Sequence, residues 1–189
     1  MKDQKETLHE KTASTEVEWL PVTLDQDQRD ADLRRTLAST PFFANLPRRY
    51  WRELTGLFHY RSFEDREIIF RQGTPGLGMY IIIEGTVLIL ARKEDSYVEI
   101  ARLGTSDFFG EMSLIEEIER GATAMSSGKT RVVGIFRPQM QNLMHRRPRL
   151  GLVLTERLAR ILANRLRESN RKLSDCREQL NREEKIESA

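Results

Sequence analysis

The sequence predicts a mainly β domain, a β sandwich or barrel, that is flanked by helices and followed by one long C-terminal helix. Short runs of β-branched and aromatic residues fill the region between Phe63 and Phe136. Glycine-bearing turns separate these runs, and regular strand spacing of this kind is typical of all-β sandwiches and barrels. After Pro138 the apolar residues recur at helical spacing to about Glu184, which predicts helix from there on.

Composition limits the class of protein. The 189 residues include one cysteine, Cys176, and three histidines that lie far apart, so neither a disulfide framework nor a zinc site is expected. The polar amino terminus has no apolar stretch after its lysines, and apolar runs such as residues 80–83 are far too short to cross a bilayer. We therefore expect a cytoplasmic protein without a membrane partner.

Residues 1–38 are predicted to form a charged N-terminal extension that is partly disordered or helical. The first 24 residues carry many charges and few apolar side chains, too few to bury a core. One small apolar island, residues 19–22, is the exception, and we expect it to dock either on a partner or on the domain itself. A helical pattern begins at about Asp25.

The β domain is predicted over residues 39–137 and begins with helices. Residues 47–58 have helical spacing with one apolar face. That face consists of Tyr50, Trp51, Leu54 and Phe58. Predicted strands follow at residues 68–70, 80–83, 87–90, 98–101 and 132–136.

Residues 138–189 are predicted to form a hinge helix and then a long coiled-coil helix that starts at Pro148. Apolar residues repeat every seven positions along it, which favours a two-helix coiled coil and hence a homodimer. One seam position holds Leu152, Ala159, Leu166, Leu173 and Leu180, and the other holds Thr155, Leu162, Ser169 and Cys176. If the helices run parallel, the two Cys176 thiols meet, but a disulfide between them is not expected in the cytosol.

The alternative for this helix is an amphipathic helix that packs on its own barrel. That arrangement explains residues 150–162 but leaves Leu166, Leu173 and Leu180 without a surface. The helix is also basic, since residues 137–189 carry 13 basic and 7 acidic residues against a net charge of +2 for the chain. A basic helix can bind nucleic acid, yet arginines interleaved with leucines at helical spacing favour a solvated helix face.

The strongest candidate for a ligand site lies between two predicted strands and centres on Glu111 and Arg120. An arginine offers a guanidinium to a phosphate, and a glutamate offers an acceptor to a hydroxyl group. Gly110 permits close backbone approach, and small residues follow Arg120, so a ligand could lie against the chain. By themselves Glu111 and Arg120 would be interpreted as a surface ion pair, so the interpretation depends on their context.

That context resembles a known family. The motifs are residues 68–73 (Ile-Ile-Phe-Arg-Gln-Gly), 79–82, 84–87, 103–104, 107–111 (Asp-Phe-Phe-Gly-Glu), and Arg120 followed by Ala122-Thr123. Together they are similar to the cyclic-nucleotide-binding domain of catabolite activator proteins and protein kinase A regulatory subunits, over roughly residues 40–175. The resemblance implies a β-roll of eight strands, a phosphate-binding cassette with a short helix, and a C-terminal helix that caps the base and forms the dimer seam.

The resemblance also implies ligand-binding residues by position. Ribose and phosphate contacts fall on Gly110, Glu111, Met112 and Ser113, the phosphate on Arg120, and further backbone contacts on Gly121 and Ala122. Arg165-Leu166 aligns with an Arg-Leu pair of the catabolite activators, which places Ser169 and Asn170 at the residues that reach the adenine amino group. Ile89 and Ile100 match the purine wall. The alternative for Ser169 is a polar seam residue that sets coiled-coil register.

The expected ligand is cAMP rather than cGMP. In the resembling family a threonine directly after the arginine is associated with the guanine base, and Gly121 has no hydroxyl to offer. The leading hypothesis is a sensor that binds cAMP and relays the signal through its C-terminal helix to an unknown effector protein. A degenerate β-roll acting as a dimeric scaffold, and a nucleic-acid binder that uses the basic helix, are the alternatives.

Two other functions are not expected. Residues 76–78 are a lone glycine pair, more simply interpreted as a turn than as a phosphate loop, and no serine or cysteine with a histidine forms a catalytic set, so we do not expect an enzyme. Only 13 residues follow Cys176, fewer than a helix-turn-helix requires, so specific DNA binding is not expected.

Overall fold

The computed structural model describes residues 20–21, 27–54, 57–93 and 96–187. The strands are β1 (Leu20–Pro21), β2 (Phe58–Phe63), β3 (Ile68–Phe70), β4 (Gly78–Lys93), β5 (Ser96–Leu103), β6 (Phe108–Phe109) and β7 (Thr123–Phe136). The helices are α1 (Asp27–Ser39), α2 (Arg48–Leu54), α3 (Arg137–Arg146) and α4 (Pro148–Glu187). A short 3₁₀ helix, Glu111–Leu114, lies between β6 and β7 and is called the cassette helix below. The segment of residues 110–122, which contains this helix, is called the cassette.

The described strands form one antiparallel sheet in the order β1-β2-β7-β4-β5, with β3 on β7 and β6 on β4. Two long strands, β4 and β7, pair with each other from Gly78 to Leu90 and from Phe136 to Thr123. The resemblance implied eight strands, and seven are found within the described residues. The strands predicted separately at 80–83 and 87–90 are one continuous strand, β4, with register shifts at residues 82–86.

The core lies in two clusters of buried side chains. The larger cluster packs the helices against the sheet and includes Leu37, Phe43 and Leu154. The smaller cluster lies within the sheet and includes Phe63, Tyr80 and Phe109. Burial of apolar area at roughly 25 cal/mol per Å² makes these clusters the main source of stability.

The N-terminal segment contributes to this core. Leu33 and Leu37 of α1 are 2% and 0% exposed, so the helix at the end of the predicted extension packs against the domain. In the apolar island, Leu20 pairs with Tyr60 and Pro21 with His59, which adds β1 to the edge of β2. For the two described residues of the island, the contact found is with the domain itself. The rest of residues 1–26 lies outside the described residues.

The second predicted helix is too long at its C-terminal end. Helix α2 ends at Leu54, and Phe58 begins β2, where it pairs with Ile135 of β7. The aromatic spacing that predicted a helical face was therefore wrong at Phe58. Phe58 is 1% exposed, so the larger core cluster buries it as fully as a helix face would have done. Gly56, which lies outside the described residues, is also a poor helix former.

Helix α4 has a buried half and an exposed half. Leu150, Leu154 and Leu158 are at most 4% exposed and belong to the larger core cluster. Leu166 and Leu173, further along, are 61% and 54% exposed. The packing of α4 on its own domain thus accounts for Leu150, Leu154 and Leu158, and it leaves these two seam leucines uncovered, as it does Leu152, which is 71% exposed.

Two absences hold for the described residues. None of the helices there is both long enough and apolar enough to cross a membrane. Nor does that part of the chain bring three or more histidine, cysteine, aspartate or glutamate side chains together in a way that could hold a metal ion.

Candidate functional site

The site is built on the connection between β6 and β7. Gly110 adopts the left-handed conformation, with φ 74°, and so turns the chain into the cassette helix. A Cβ atom at this position would lie 2.5 Å from Nη1 of Arg120. Gly110 is therefore required both by its backbone conformation and by the space that the arginine occupies.

Arg120 is buried, with only 5% of its surface exposed. Its Nη1 atom donates to the Gly110 carbonyl at 3.1 Å and to the Ser113 hydroxyl at 3.0 Å. Its Nη2 atom donates to the Gly78 carbonyl at 2.7 Å. The guanidinium therefore ties both ends of the cassette turn to the start of β4.

Two aromatic rings lie against the same guanidinium. The Arg120 Cζ atom is 4.2 Å from the centre of the Phe70 ring and 5.4 Å from the centre of the Tyr80 ring. Burial raises the pKa of Tyr80, and the charge of Arg120 opposes that rise. Both contacts are of the cation–π kind, which strengthens when the cation is removed from water, and Tyr80 also forms a side-chain hydrogen bond with Arg120.

The electrostatics of Arg120 favour an incoming anion. Burial lowers its pKa, against the opposing influence of Tyr80 and Glu111, but a guanidinium stays protonated in proteins. Its hydrogen-bond acceptors are carbonyl and hydroxyl oxygens, and its Nε atom is buried without a hydrogen-bond partner in the described part of the chain. A buried positive charge that lacks a hydrogen-bonded carboxylate has a strong preference for a negatively charged ligand.

Glu111 carries the negative charge of the site. It is 5% exposed, and its Oε1 atom forms an ion pair with Nη1 of Arg165 at 2.5 Å. Arg165 lies on α4, and its Nη2 atom donates to the Phe108 carbonyl at 2.9 Å while its guanidinium lies over the Phe108 ring. The long helix is thus bound directly to the cassette.

Sequence reasoning missed the role of Arg165. The heptad pattern placed it among solvated arginines, because the pattern concerns only the spacing along α4 and not the element that α4 crosses. The only signal was the alignment of Arg165-Leu166 with the related Arg-Leu pair, and this was used to position Ser169 and Asn170.

A second arginine, Arg137, joins the cassette to the first residue of α3. It is 8% exposed, and its Nη1 atom donates to the carbonyls of Ser113 and Glu116 at 3.3 and 2.7 Å. Its Nη2 atom donates to the Glu117 carboxylate at 2.9 Å. A cation at a helix N-terminus opposes the helix dipole, so these acceptors offset an unfavourable placement. Sequence reasoning did not identify this residue either.

The structure brings only some of the predicted residues together. Gly110, Glu111, Ser113 and Arg120 form the buried group described above. Met112 projects outward and is 55% exposed. Gly121 is exposed, with no heavy atom within 4 Å of the place where a Cβ would lie, and Ala122 beside it is half-buried.

The predicted base contacts lie in two places, on the paired strands β4 and β5 and on α4. Ile89 on β4 is half-buried, whereas Ile100 is 59% exposed and lies between Ala101 and Glu99 at a register shift in β5. Ser169 and Asn170 are exposed on α4, about one turn beyond Arg165. Neither side chain hydrogen-bonds to the cassette within the residues described here.

Known proteins resemble this chain in sequence and in fold. Residues 60–147 match the family model of the cyclic nucleotide-binding domain. A protein of Rhodopseudomonas palustris (strain ATCC BAA-98 / CGA009), whose name describes a potassium channel, is 34% identical over 115 residues. The match covers 61% of this chain and only 28% of that relative.

Solved structures show the same fold. The catabolite activator protein of Thermus thermophilus has a TM-score of 0.64 and 31% identity, covering 71% of this chain and 62% of its own. A cyclic nucleotide-binding domain from Methylobacillus flagellatus has a TM-score of 0.67 and 23% identity, and the match covers 77% of this chain and 83% of that chain. The predicted mainly β fold with flanking helices and a long C-terminal helix is confirmed. Residues 60–147 of this chain therefore belong to the cyclic nucleotide-binding domain family.

Proposed function

We propose that the chain is a sensor that binds a cyclic nucleotide monophosphate, with cAMP as the preferred ligand, and relays its binding through α4. The observation that carries the proposal is Arg120, a buried guanidinium whose Nε atom has no hydrogen-bond partner in the described residues. A singly charged phosphodiester matches such a group in charge and in hydrogen-bonding capacity.

The phosphate contact follows from the placement of Arg120. Its Nη atoms are held by Gly110 and Ser113 of the cassette and by Gly78 at the start of β4, so the guanidinium cannot move far, and its Nε–H is a donor without an acceptor among the described residues. Backbone N–H groups after Gly110 and the small residues Gly121 and Ala122 complete the phosphate contacts in this proposal. Gly121 leaves room for a ligand, because nothing lies within 4 Å of the position its Cβ would take.

The ribose contact is assigned to Glu111. Its Oε1 atom already accepts from Arg165, which leaves Oε2 as the acceptor for the 2′-hydroxyl. A buried carboxylate that is both paired and hydrogen-bonded avoids the cost of an isolated buried charge. Ligand and α4 would then share one carboxylate, and neither would have to displace the other.

The preference for adenine rests on Gly121 and on α4. Gly121 offers no hydroxyl to a guanine base, and Ser169 and Asn170 are the polar residues proposed to reach the adenine amino group. Both are exposed one turn beyond Arg165, so α4 would have to close further over the site, or a second chain would have to supply them. Met112, Ile89 and Ile100 keep their proposed contacts with the ligand.

The relay has two physical connections. Arg165 joins the cassette to the middle of α4, and Arg137 joins it to the start of α3. A ligand shifts such an arrangement only if it binds one position of the helices more tightly than another. Homodimerisation along the seam of α4 and an effector protein beyond it complete the proposal.

Binding of nucleic acid by the basic helix is less well supported. Four of the five arginines in residues 157–171 contact groups of the same chain: Arg157 donates to backbone carbonyls, Arg160 to Glu156, Arg165 to Glu111 and Arg167 to Asn164. Of these, Arg157 and Arg165 contact the domain rather than their own helix. Arg157 and Arg165 are therefore oriented toward the protein instead of toward the phosphate backbone of a nucleic acid.

Calorimetric titration of the chain with cAMP and with cGMP tests the proposal. We expect binding of cAMP, weaker binding of cGMP, and a loss of about a hundredfold in Arg120→Met, because truncating one partner of a buried charge pair is costly. Arg131→Met is the matched control, since Arg131 pairs with Glu84 in an exposed position. No heat and no thermal shift with millimolar cAMP would contradict the proposal and favour the scaffold alternative.

A further inference from the structure

We infer that Phe70 and Tyr80 form an aromatic support that positions Arg120 for the phosphate, with Phe70 as the main positioning residue. The inference rests on the proposed function and extends it to side chains outside the cassette. Neither residue belongs to the segment between Gly110 and Ala122, and neither was predicted from the sequence.

The geometry distinguishes the two rings. The Arg120 Cζ atom lies 4.2 Å from the Phe70 ring centre, within close contact, and 5.4 Å from that of Tyr80. Phe70 is itself held in place, because its ring centre is 5.7 Å from that of Tyr80 and 5.7 Å from that of Phe109. Tyr80 and Phe109 are 6% and 4% exposed, so the support beneath Phe70 is part of the core.

The backbone explains why Phe70 reaches the site. Phe70 ends β3 and pairs with Ala124 of β7, and a register shift separates it from the preceding pair, Ile68 with Met125. Such an irregularity redirects a side chain. The loop after Phe70 binds the backbone of Arg120. The N–H of Gly73 donates to the Arg120 carbonyl, and the N–H of Arg120 donates to the Thr74 carbonyl.

An aromatic ring compensates for the burial of the Arg120 guanidinium in a way that a carboxylate would not. Burying a guanidinium is costly unless something compensates for the lost water. A carboxylate would compensate but would also neutralise the charge that attracts the phosphate. The face of the Phe70 ring attracts the cation without occupying an N–H donor, so Phe70 helps to fix Arg120 while the charge and the Nε–H of the guanidinium keep no competing acceptor among the described residues.

The first test replaces Phe70 with mono-, di- and trifluorinated phenylalanine, which weakens the negative ring face in steps and changes the ring's size little. We expect cAMP affinity to fall in steps, to about a tenth of the wild-type value for the trifluorinated ring. The same series at Phe109 is the control, because that ring supports Phe70 without a contact to Arg120. A flat series at position 70, or equal slopes at both positions, would overturn the inference.

The second test needs no ligand. A double-mutant cycle compares the unfolding free energies of wild type, Phe70→Leu, Arg120→Met and the double variant. We expect the two losses to be less than additive, and strictly additive losses would overturn the inference. If the cycle shows coupling while the wild type binds no cyclic nucleotide, the support for Arg120 stands and the proposed function fails. If cAMP binds and the cycle is additive, the opposite holds.

Discussion

The cassette and the distal half of α4 show opposite patterns of burial: polar side chains are buried in the first, and apolar side chains are exposed in the second. In the cassette, Glu111, Ser113 and Arg120 are at most 5% exposed, although all three are polar, and each has a hydrogen-bonded partner in the chain. On α4, Leu166 and Leu173 are more than half exposed, although both are apolar. The polar side chains of the cassette find partners within the chain, whereas the distal helix has apolar side chains that the described residues do not cover.

The largest expected effect comes from charging that uncovered seam. We expect Leu166→Asp with Leu173→Asp to weaken homodimerisation about a thousandfold, because each chain then brings two carboxylates into an apolar contact. Sedimentation velocity over a range of concentrations measures the change.

Arg171→Asp is the control, since Arg171 is exposed and lies on the helix face opposite both seam positions. If the wild-type chain sediments as a monomer at every concentration, the exposed leucines serve some other contact and the proposed dimer is wrong.

A second prediction compares the two halves of α4 with the same substitution. Leu154→Ala should cost about 2–5 kcal/mol of unfolding free energy, because Leu154 is 2% exposed within the core. Leu173→Ala, on the same helix, should change it by less than about 0.5 kcal/mol in dilute, monomeric protein. Urea unfolding measures both. Equal losses would mean that the exposed half is covered by contacts outside the described residues.

The sequence predicted the fold well because its main signals are local. Glycine-bearing turns and β-branched runs located most of the sheet, and the heptad pattern located α4. Two of its errors have one cause. Pairing with β7, which is distant in the sequence, places Phe58 in a strand and joins the two predicted strands into β4.

Within the site, the sequence identified what lies on one segment. Gly110, Glu111, Ser113 and Arg120 are close together because the cassette turn brings them together. Arg165, Arg137 and Phe70 come from other elements, and their contacts depend on how those elements cross. Helical or strand periodicity carries no information about such crossings, so it could not identify the roles of these three residues.

A third prediction concerns the contact that joins the two regions. Arg165→Met should weaken cAMP binding about tenfold, because it leaves the carboxylate of Glu111 buried and without its ion-pair partner. Hydrogen exchange should also become faster in the middle of α4, since the helix loses its attachment to the cassette. Calorimetry and exchange measured by mass spectrometry test the two effects.

The control is Arg167→Met, two residues away, because Arg167 contacts Asn164 on its own helix. A loss of affinity without any change in exchange would show that Arg165 acts on the ligand site alone and would contradict the proposed relay.

The smallest expected effect is a dependence of stability on pH at His59, which lies in β2 away from both regions. Burial lowers the pKa of this ring below its ordinary value of 6.5, and its Nε2 atom has no hydrogen-bond partner among the described residues. The folded chain therefore takes up a proton here less readily than the unfolded chain. The resulting stability is present above pH 6.5 and is lost as the pH falls through that value toward the lowered pKa.

Urea unfolding of wild type and His59→Gln at pH 7.5 and pH 5.5, which lie about one unit on either side of the ordinary histidine pKa, isolates this contribution from that of the carboxylates. We expect the wild type to lose more stability than the variant on acidification. Since His59 packs against Phe136, the last residue of β7 before α3, the protonated ring would also disturb the strand end from which Arg137 reaches the cassette. Identical losses in the two proteins would show that the His59 ring gains a partner for its proton when it is charged.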